Sequence, residues 1–209
     1  MNIVNESSIV SKLSKSRKII LDILLKLGYD TSKYTDTGIS EIRTLYLNDQ
    51  LDLLLEDKDG KKIYIKYQLS KKIKADFVYE LIDDLFHLEE ILKPTDDLLI
   101  VSRYKPNLAL QTTIKNLFET DKMYLNIISL DNLQYNILEH KLVPFHRKLK
   151  EEEIEPLFKK KNINYKTELP EISRFDPVSI LHAFRPGDII EIDRPSTISI
   201  TQKYYRLCC

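Results

Sequence analysis

The chain has 209 residues, of which 43% are hydrophobic and 31% charged, so it can bury a core and is not disordered as a whole. Its 32 Lys and Arg residues balance 32 Asp and Glu residues, which excludes a binder that relies on a global basic field. No apolar run is long enough to cross a bilayer, and the N-terminal residues lack the charged start and apolar stretch that are typical of a signal peptide. We therefore expect an intracellular protein that does not bind membranes.

Glycine and cysteine usage excludes further classes. The four glycines, at positions 28, 38, 60 and 187, are all isolated, whereas loops that cradle phosphates need clustered glycines. We therefore expect no nucleotide cofactor and no small-molecule ligand. The two cysteines, Cys208 and Cys209, are adjacent and cannot link distant segments, which is typical of a reducing compartment.

The first half of the sequence predicts an α/β domain. Its opening apolar stripe has helical spacing up to Gly28 and is interrupted at Arg17. The predicted elements that follow are a hairpin from 51–55 and 63–69, a helix with Asp76 as N-cap, a strand at 97–101, a helix at 108–120 and a strand at 124–128. This order implies a mixed sheet.

The last third of the sequence predicts a smaller α+β domain. A charged helix fits 151–160, and Asp176-Pro177 is a typical helix start because the carboxylate caps the helix and proline occupies its first position. A turn at 185–188 leads into a strand at 189–192, and a last strand fits 204–207. A domain of this size has a small core and would gain stability by docking on a larger partner.

The sequence contains residues that could take part in two kinds of metal chemistry. A metal-dependent nuclease needs two carboxylates on adjacent strands and a nearby lysine. The hairpin offers Asp52 and Lys66, but Tyr64 stands where the second carboxylate is expected. We expect a degenerate relative of that fold rather than an active nuclease. His140 and His146 lack further suitable ligands for structural zinc, so we expect no metal and no cofactor.

Local basic clusters are the remaining candidates for a binding site. One lies at 11–18 and contains Lys12 and Lys15, a second has six lysines between positions 61 and 74, and a third spans 103–106. On charge alone, solvated surfaces are the favoured interpretation, and a stand-alone DNA-binding module is the alternative.

The C-terminal segments, in their order and spacing, resemble a known family. They are His140 to His146, Leu169 to Ile172, Asp176 to Val178, Gly187 to Ser196 and Tyr205 to Cys208. Together they are similar to the fifth common subunit of eukaryotic RNA polymerases, whose assembly domain has a small archaeal polymerase subunit as its counterpart. The N-terminal half resembles the jaw domain of this family more faintly. Ile200-Thr201 departs from the glycine-containing stretch that the family usually has.

The resemblance implies a domain organisation and a function. Residues 1–137 would form a non-catalytic jaw domain with a nuclease-like mixed sheet, and residues 138–209 an assembly domain. The chain would have no catalytic site and would dock on the largest polymerase subunit, beside other subunits. By resemblance, the docking residues are His146, Pro170, Ile172, Asp176, Pro177, Gly187, Arg194, Tyr205 and Arg206.

The resemblance also implies weak, sequence-independent contact between the jaw domain and downstream duplex DNA. The residues expected to make it are Lys12, Lys15, Arg103, Lys105 and Pro106. Since archaeal members lack the jaw domain, the source would be a eukaryote or a large DNA virus. A virus is favoured by the compact length and biased composition, which places the protein in host cytoplasm or virions; a cellular member would be nuclear.

Overall fold

A computed structural model describes residues 3–196 and 200–209 and shows two compact units. The N-terminal unit is Met1–Tyr135 and the C-terminal unit is Asn136–Cys209. This division lies two residues before the one expected from the sequence. Within the described residues, no helix combines the length and apolar character needed to span a bilayer.

The N-terminal unit, as far as it is described, contains four α-helices and a four-stranded sheet. The elements are α1 (Ile3–Leu27), α2 (Ile39–Leu47), β1 (Leu53–Glu56), β2 (Lys62–Gln68), α3 (Ala75–Ile82), β3 (Asp97–Ser102), α4 (Leu108–Asp121) and β4 (Tyr124–Ser129). The strand order is β1-β2-β3-β4, with β1 antiparallel to β2 and the other pairs parallel. The predicted α/β character and mixed sheet are confirmed, whereas the jaw role and the nuclease-like relationship stay predictions.

Burial along the strands explains why the sequence folds in this way. In β2 the residues Ile63, Ile65 and Tyr67 are buried and their neighbours are half-buried, as period-two alternation predicts. Every residue of β3 and β4 is buried, which fits parallel strands that are covered on both faces. These two strands therefore lie inside the N-terminal core.

The helices of the N-terminal unit differ in two places from the prediction, and the structure explains the interruption in the stripe of α1. Asp76 is not the N-cap of α3: Lys74 holds that position, and Asp76 lies in the first turn, where its charge favours the helix dipole. Helix α2 was not predicted, because Ile42 is its only buried residue and no apolar stripe results. Arg17 interrupts the stripe of α1 but is buried, and its Nη1 donates to the Leu51 carbonyl at 2.9 Å.

The C-terminal unit, over its described residues, is a second four-stranded sheet with two α-helices, in agreement with the predicted α+β class. Its elements are β5 (Phe145–Lys148), α5 (Glu151–Lys161), β6 (Glu171–Ile172), α6 (Pro177–Leu181), β7 (Ile189–Pro195) and β8 (Thr201–Cys208). The strand order is β5-β7-β8-β6. The predicted start of α6 is confirmed, since Asp176 accepts a hydrogen bond from the Val178 amide at 2.9 Å. Gly187 has φ +91° in the turn before β7, where glycine is favoured.

The two faces of this sheet bury different clusters. The first, called here the helix face, packs Ile189 and Leu207 under α5. The second, called the histidine face, packs Ile190, Ile192 and Cys208 against Phe184. Since successive strand residues point to opposite faces, the apolar run of β7 supplies both clusters. Each cluster is small, as expected for a unit of this size.

Two histidines lie beside the second cluster. The ring of His182 stacks on Phe184 with centroids 4.9 Å apart, and His146 lies 6.3 Å from His182. Burial, with a smaller contribution from His146, lowers the pKa of His182 to about 4. Burial also lowers the pKa of His146. Both side chains are therefore neutral in the folded protein at neutral pH.

The centre of the N-terminal sheet provides a test of its core. Ile100→Ala removes a fully buried side chain of β3 and should lower the free energy of unfolding by about 2–5 kcal/mol. Leu108→Ala, at a position 80% exposed, is the matched control and should change it by less than about 0.5 kcal/mol. Urea unfolding measures both. Equal effects of the two substitutions would contradict the described packing.

The half-buried His182 predicts a pH-dependent stability of the C-terminal unit. Because the folded pKa of His182 is about 4 and its unfolded value about 6.5, the unfolded chain binds more protons between these values. The free energy of unfolding should keep its full value above pH 6.5 and decrease as the pH falls towards 4, because protons then bind to His182 in the unfolded chain first. His182→Phe should flatten this slope, while the exposed His87→Asn control should not. The midpoints of urea unfolding, measured across this pH range, test the prediction. An unchanged slope of stability against pH in His182→Phe would contradict it.

Candidate functional site

The predicted remnant of a nuclease site is a closed hydrogen-bond cluster. Tyr64 OH and Lys66 Nζ both donate to Asp52 Oδ2, at 2.9 and 2.6 Å, and the Tyr67 amide donates to Oδ1 at 3.1 Å. Burial, followed by the Asp52 charge, raises the pKa of Tyr64 above its ordinary value. Tyr64 is therefore a neutral donor at neutral pH.

This cluster gives Asp52 a structural role. A neutral phenol supplies no anionic oxygen to a divalent cation, so Tyr64 does not replace the missing carboxylate. Across residues 3–196 and 200–209, no three His, Cys, Asp or Glu side chains are grouped so that they could hold a metal ion. The cluster joins the segment before β1 to β2, and its lysine is paired within the fold rather than directed to a ligand.

A second site lies where the parallel strands end. Gln68, Ser102 and Ser129, the last residues of β2, β3 and β4, are register partners, so the segments that follow them emerge at one edge of the sheet. We call this part of the molecule the basic edge. It comprises the exposed residues Lys71, Lys72, Lys74, Arg103 and Lys105.

Part of this set was predicted and part was missed. Arg103 and Lys105 lie in the loop after β3, together with the half-buried Pro106. The sequence shows a cluster of lysines between positions 61 and 74 but does not indicate which of them are paired and which are exposed. The structure separates them, because Lys61 pairs with Asp97 and Lys66 with Asp52, whereas the three lysines after β2 are exposed.

Of the two predicted contact residues of α1, Lys12 lies beside the turn after β4. Lys12 Nζ is 3.2 Å from Asp131 Oδ1 in that turn, and both side chains are exposed. An exposed pair of this kind is weak and salt-sensitive. Lys15 is exposed three residues further along the helix. Lys12 thus reaches the same edge of the sheet, with part of its charge already neutralised.

In the C-terminal unit, the histidine face brings several predicted docking residues together. Arg206 and Arg194 lie on adjacent strands on either side of Tyr204, and His146 is the register partner of Ile192 between them. The exposed Arg194 guanidinium carbon lies 5.3 Å from the ring centroid of Tyr204. Arg206 Nη1 donates to the Glu171 carbonyl at 3.0 Å. Arg194 therefore contacts the Tyr204 ring, and Arg206 lies two residues further along the same face of β8, bonded to the backbone of β6.

Other predicted docking residues have backbone or packing roles. Ile172 packs on the histidine-face cluster, and the carbonyl of the exposed Pro170 accepts a hydrogen bond from the Leu207 amide at 2.9 Å. Asp176 and Pro177 begin α6, and Gly187 forms the turn before β7. These residues shape the unit, and the structure does not place their side chains in one site.

Tyr205 lies on the opposite, helix face, in a charge cluster that sequence reasoning missed. Its hydroxyl donates to Glu191 Oε2 at 3.1 Å, while Arg147 Nε and Lys203 Nζ donate to Oε1 at 2.8 and 2.9 Å. Burial raises the pKa of Glu191, but these hydrogen bonds outweigh it, and the pKa lies below its usual value. Arg147 also forms a forked pair with Glu153 of α5. The only sequence signal was a glutamate inside an apolar strand.

Comparisons with known proteins identify the C-terminal unit. Residues 135–208 match the family model described as RNA polymerase Rpb5, C-terminal domain. The chain is 46% identical over 74 residues to DNA-directed RNA polymerase subunit Rpo5 of Thermococcus kodakarensis, which covers 35% of this chain and 89% of the relative. It is 47% identical over 70 residues to Rpo5 of Aeropyrum pernix, covering 34% and 77%.

A plant relative extends the similarity to nearly the whole sequence. The chain is 25% identical over 211 residues to the DNA-directed RNA polymerases IV and V subunit 5B of Arabidopsis thaliana, which covers 97% of this chain and 93% of the relative. The similarity therefore includes the N-terminal unit, at a lower identity than that of the archaeal matches. The chain belongs to the family of the fifth common subunit of DNA-directed RNA polymerases.

Proposed function

We propose that the chain is a non-catalytic structural subunit of a multisubunit DNA-dependent RNA polymerase. In this proposal its C-terminal unit docks on the largest subunit, and its N-terminal unit forms part of the lower jaw near downstream duplex DNA. The observation that carries the proposal is the match of residues 135–208, nearly the complete C-terminal unit, to relatives that are named as polymerase subunits. Nucleotidyl transfer would belong to other subunits.

The coverage of the relatives supports assembly through the C-terminal unit. The Thermococcus relative is matched over 89% of its length by only 35% of this chain. A protein made almost entirely of the matched region is thus named as a polymerase subunit. On the histidine face, Arg194 offers a forked donor in contact with Tyr204, and Arg206 lies on the same face; arginine and tyrosine are both enriched in protein interfaces.

The basic edge supports the DNA contact. Its exposed lysines and arginine follow neighbouring parallel strands, so their charges add locally although the net charge of the chain is zero. Contacts with phosphates position a protein on DNA without reading its sequence. The composition of the edge therefore fits weak, salt-sensitive and sequence-independent binding.

The location follows from the function. A polymerase subunit works inside the cell, in the nucleus of a cellular organism or in the host cytoplasm and virions of a large DNA virus. The viral form is the favoured version of the proposal, because the compact length and biased composition indicated it.

Charge reversal on the histidine face tests docking. The double substitution Arg194→Glu and Arg206→Glu should reduce co-purification of the largest polymerase subunit by roughly tenfold or more, since a glutamate cannot donate to the acceptor groups that a guanidinium would bind and carries the opposite charge. Lys160→Glu with Lys161→Glu, at exposed positions of α5, is the matched control and should leave recovery unchanged.

Arg206 also bonds the Glu171 carbonyl, so folding must be checked separately. Circular dichroism and urea unfolding should show a folded double variant, and Arg194→Glu alone should still reduce recovery. Full recovery of the polymerase with a folded double variant would overturn docking through this face.

Neutralisation of the predicted DNA contacts tests the jaw role. In the assembled polymerase, Arg103→Ala with Lys105→Ala should weaken duplex binding and reduce the slope of log affinity against log salt by roughly 0.9 for each lost phosphate contact. Lys33→Ala with Lys58→Ala, beside β1, is the control that retains the wild-type slope. Filter binding at several salt concentrations measures both. An unchanged slope in the first variant rules out these contacts.

A further inference from the structure

A hollow of about 260 Å³ lies beneath the loop that follows β3. Its floor is apolar and contains Leu110 of α4 and Ile127 of β4, which are 4% and 2% exposed. Pro106 adds an apolar wall from the loop itself, and Ile73 lines it from the segment after β2. The hollow is therefore formed by three separate segments of the sheet edge.

The rim of this hollow combines an aromatic ring with positive charges. Tyr104 is 42% exposed, and Lys72 Nζ lies 5.5 Å from the centroid of its ring. Lys105 is the other cation that lines the hollow. Since Lys72 and Tyr104 come from different loops, their pairing arises only in the fold.

The loop that carries Tyr104 is held at both of its ends. The Tyr104 amide donates to Ser102 Oγ at 3.1 Å, at the end of β3. Asn107 Oδ1 accepts from the Leu110 amide at 2.9 Å and caps α4, where the loop ends. The aromatic ring is thus placed by a short, braced connection, which lowers the entropic cost of stacking a ligand on it.

Aromatic rings beside cations are the chemistry of sites for unpaired nucleotides. Bases stack on aromatic side chains and neighbouring lysines pair with phosphates, whatever the base. The volume is below the roughly 300–1,000 Å³ of pockets for drug-sized ligands, so one ring fits this space better than a larger molecule. In a duplex the faces of the bases are already stacked, so phosphate contacts alone would leave such a hollow unused.

We propose that this hollow binds one nucleotide of a single-stranded nucleic acid, with the base stacked on Tyr104 and a phosphate beside Lys72 and Lys105. The inference deepens the proposed function, because it adds an unpaired strand to the duplex contact of the basic edge. It does not require assembly into a polymerase, and this allows the two ideas to fail separately.

Fluorescence anisotropy of a labelled oligothymidylate with the full chain at low salt tests the proposal. Tyr104→Ala should weaken binding by roughly 5- to 150-fold, the value of one stacked base. Tyr104→Phe should restore it, because the ring is retained. Tyr79→Ala, at a position 51% exposed on α3, is the matched control and should have no effect.

Three further ligands separate base stacking from charge. A strand of the same length with abasic sites keeps the phosphates, so its weaker binding should be insensitive to Tyr104→Ala. Lys72→Ala should weaken the binding of both the oligothymidylate and the abasic strand, and it should lower the slope of log affinity against log salt by roughly 0.7. A duplex of the same sequence should not respond to Tyr104→Ala, and thymidine monophosphate should compete, although weakly.

The proposal is overturned if Tyr104→Ala affects the oligothymidylate and the abasic strand equally, or affects neither. It is also overturned if duplex and single strand lose affinity together, since the hollow would then belong to a duplex surface. Co-purification of Tyr104→Ala with the polymerase should equal that of the wild type. If the wild-type chain itself did not co-purify with polymerase subunits, that result would instead count against the proposed function.

Discussion

The parallel pairing of β2, β3 and β4 is the constraint on which the N-terminal unit depends. Because Gln68, Ser102 and Ser129 are in register, every connection that leaves these strands begins at the same edge. This pairing brings two basic loops that are distant in sequence together as one charged surface. It also explains how a chain with no net charge presents a locally basic surface. Lys61 and Lys66, which lie outside that edge, are paired within the fold.

The C-terminal unit differs from the N-terminal unit, because only a small apolar cluster is buried on each face of its sheet. On the helix face, Glu191 accepts hydrogen bonds from Arg147, Lys203 and Tyr205. Arg147 also pairs with Glu153 of α5 and so links the sheet to this helix. Polar contacts therefore supplement a modest hydrophobic cluster there. The histidine face carries its guanidinium groups beside an exposed aromatic ring instead. This asymmetry makes the histidine face the better candidate for a protein partner, which would bury additional surface for the unit.

Much of the fold was predictable, and the exceptions have physical causes. Strands and helices with a strong pattern, from 97–128, were predicted to within a residue at their ends. Helix α2 gave no signal because it buries only Ile42, and the cap of α3 was misplaced because Asp76 suits the first turn as well as the cap. The site was less predictable. Grouping Lys72 with Tyr104, or Glu191 with Arg147, requires the register of strands that sequence spacing does not contain. The family resemblance predicts docking residues but does not indicate the face on which each one lies.

The central claim is that the chain is a stoichiometric polymerase subunit, and it can be measured directly. The tagged full chain would be purified from its native cells, or from infected cells, and the co-purifying proteins quantified by mass spectrometry. The account predicts one copy of the chain for each largest polymerase subunit, retained through washes that remove peripheral DNA-binding proteins. Recovery of the chain alone at low salt, without the large subunits, would contradict it.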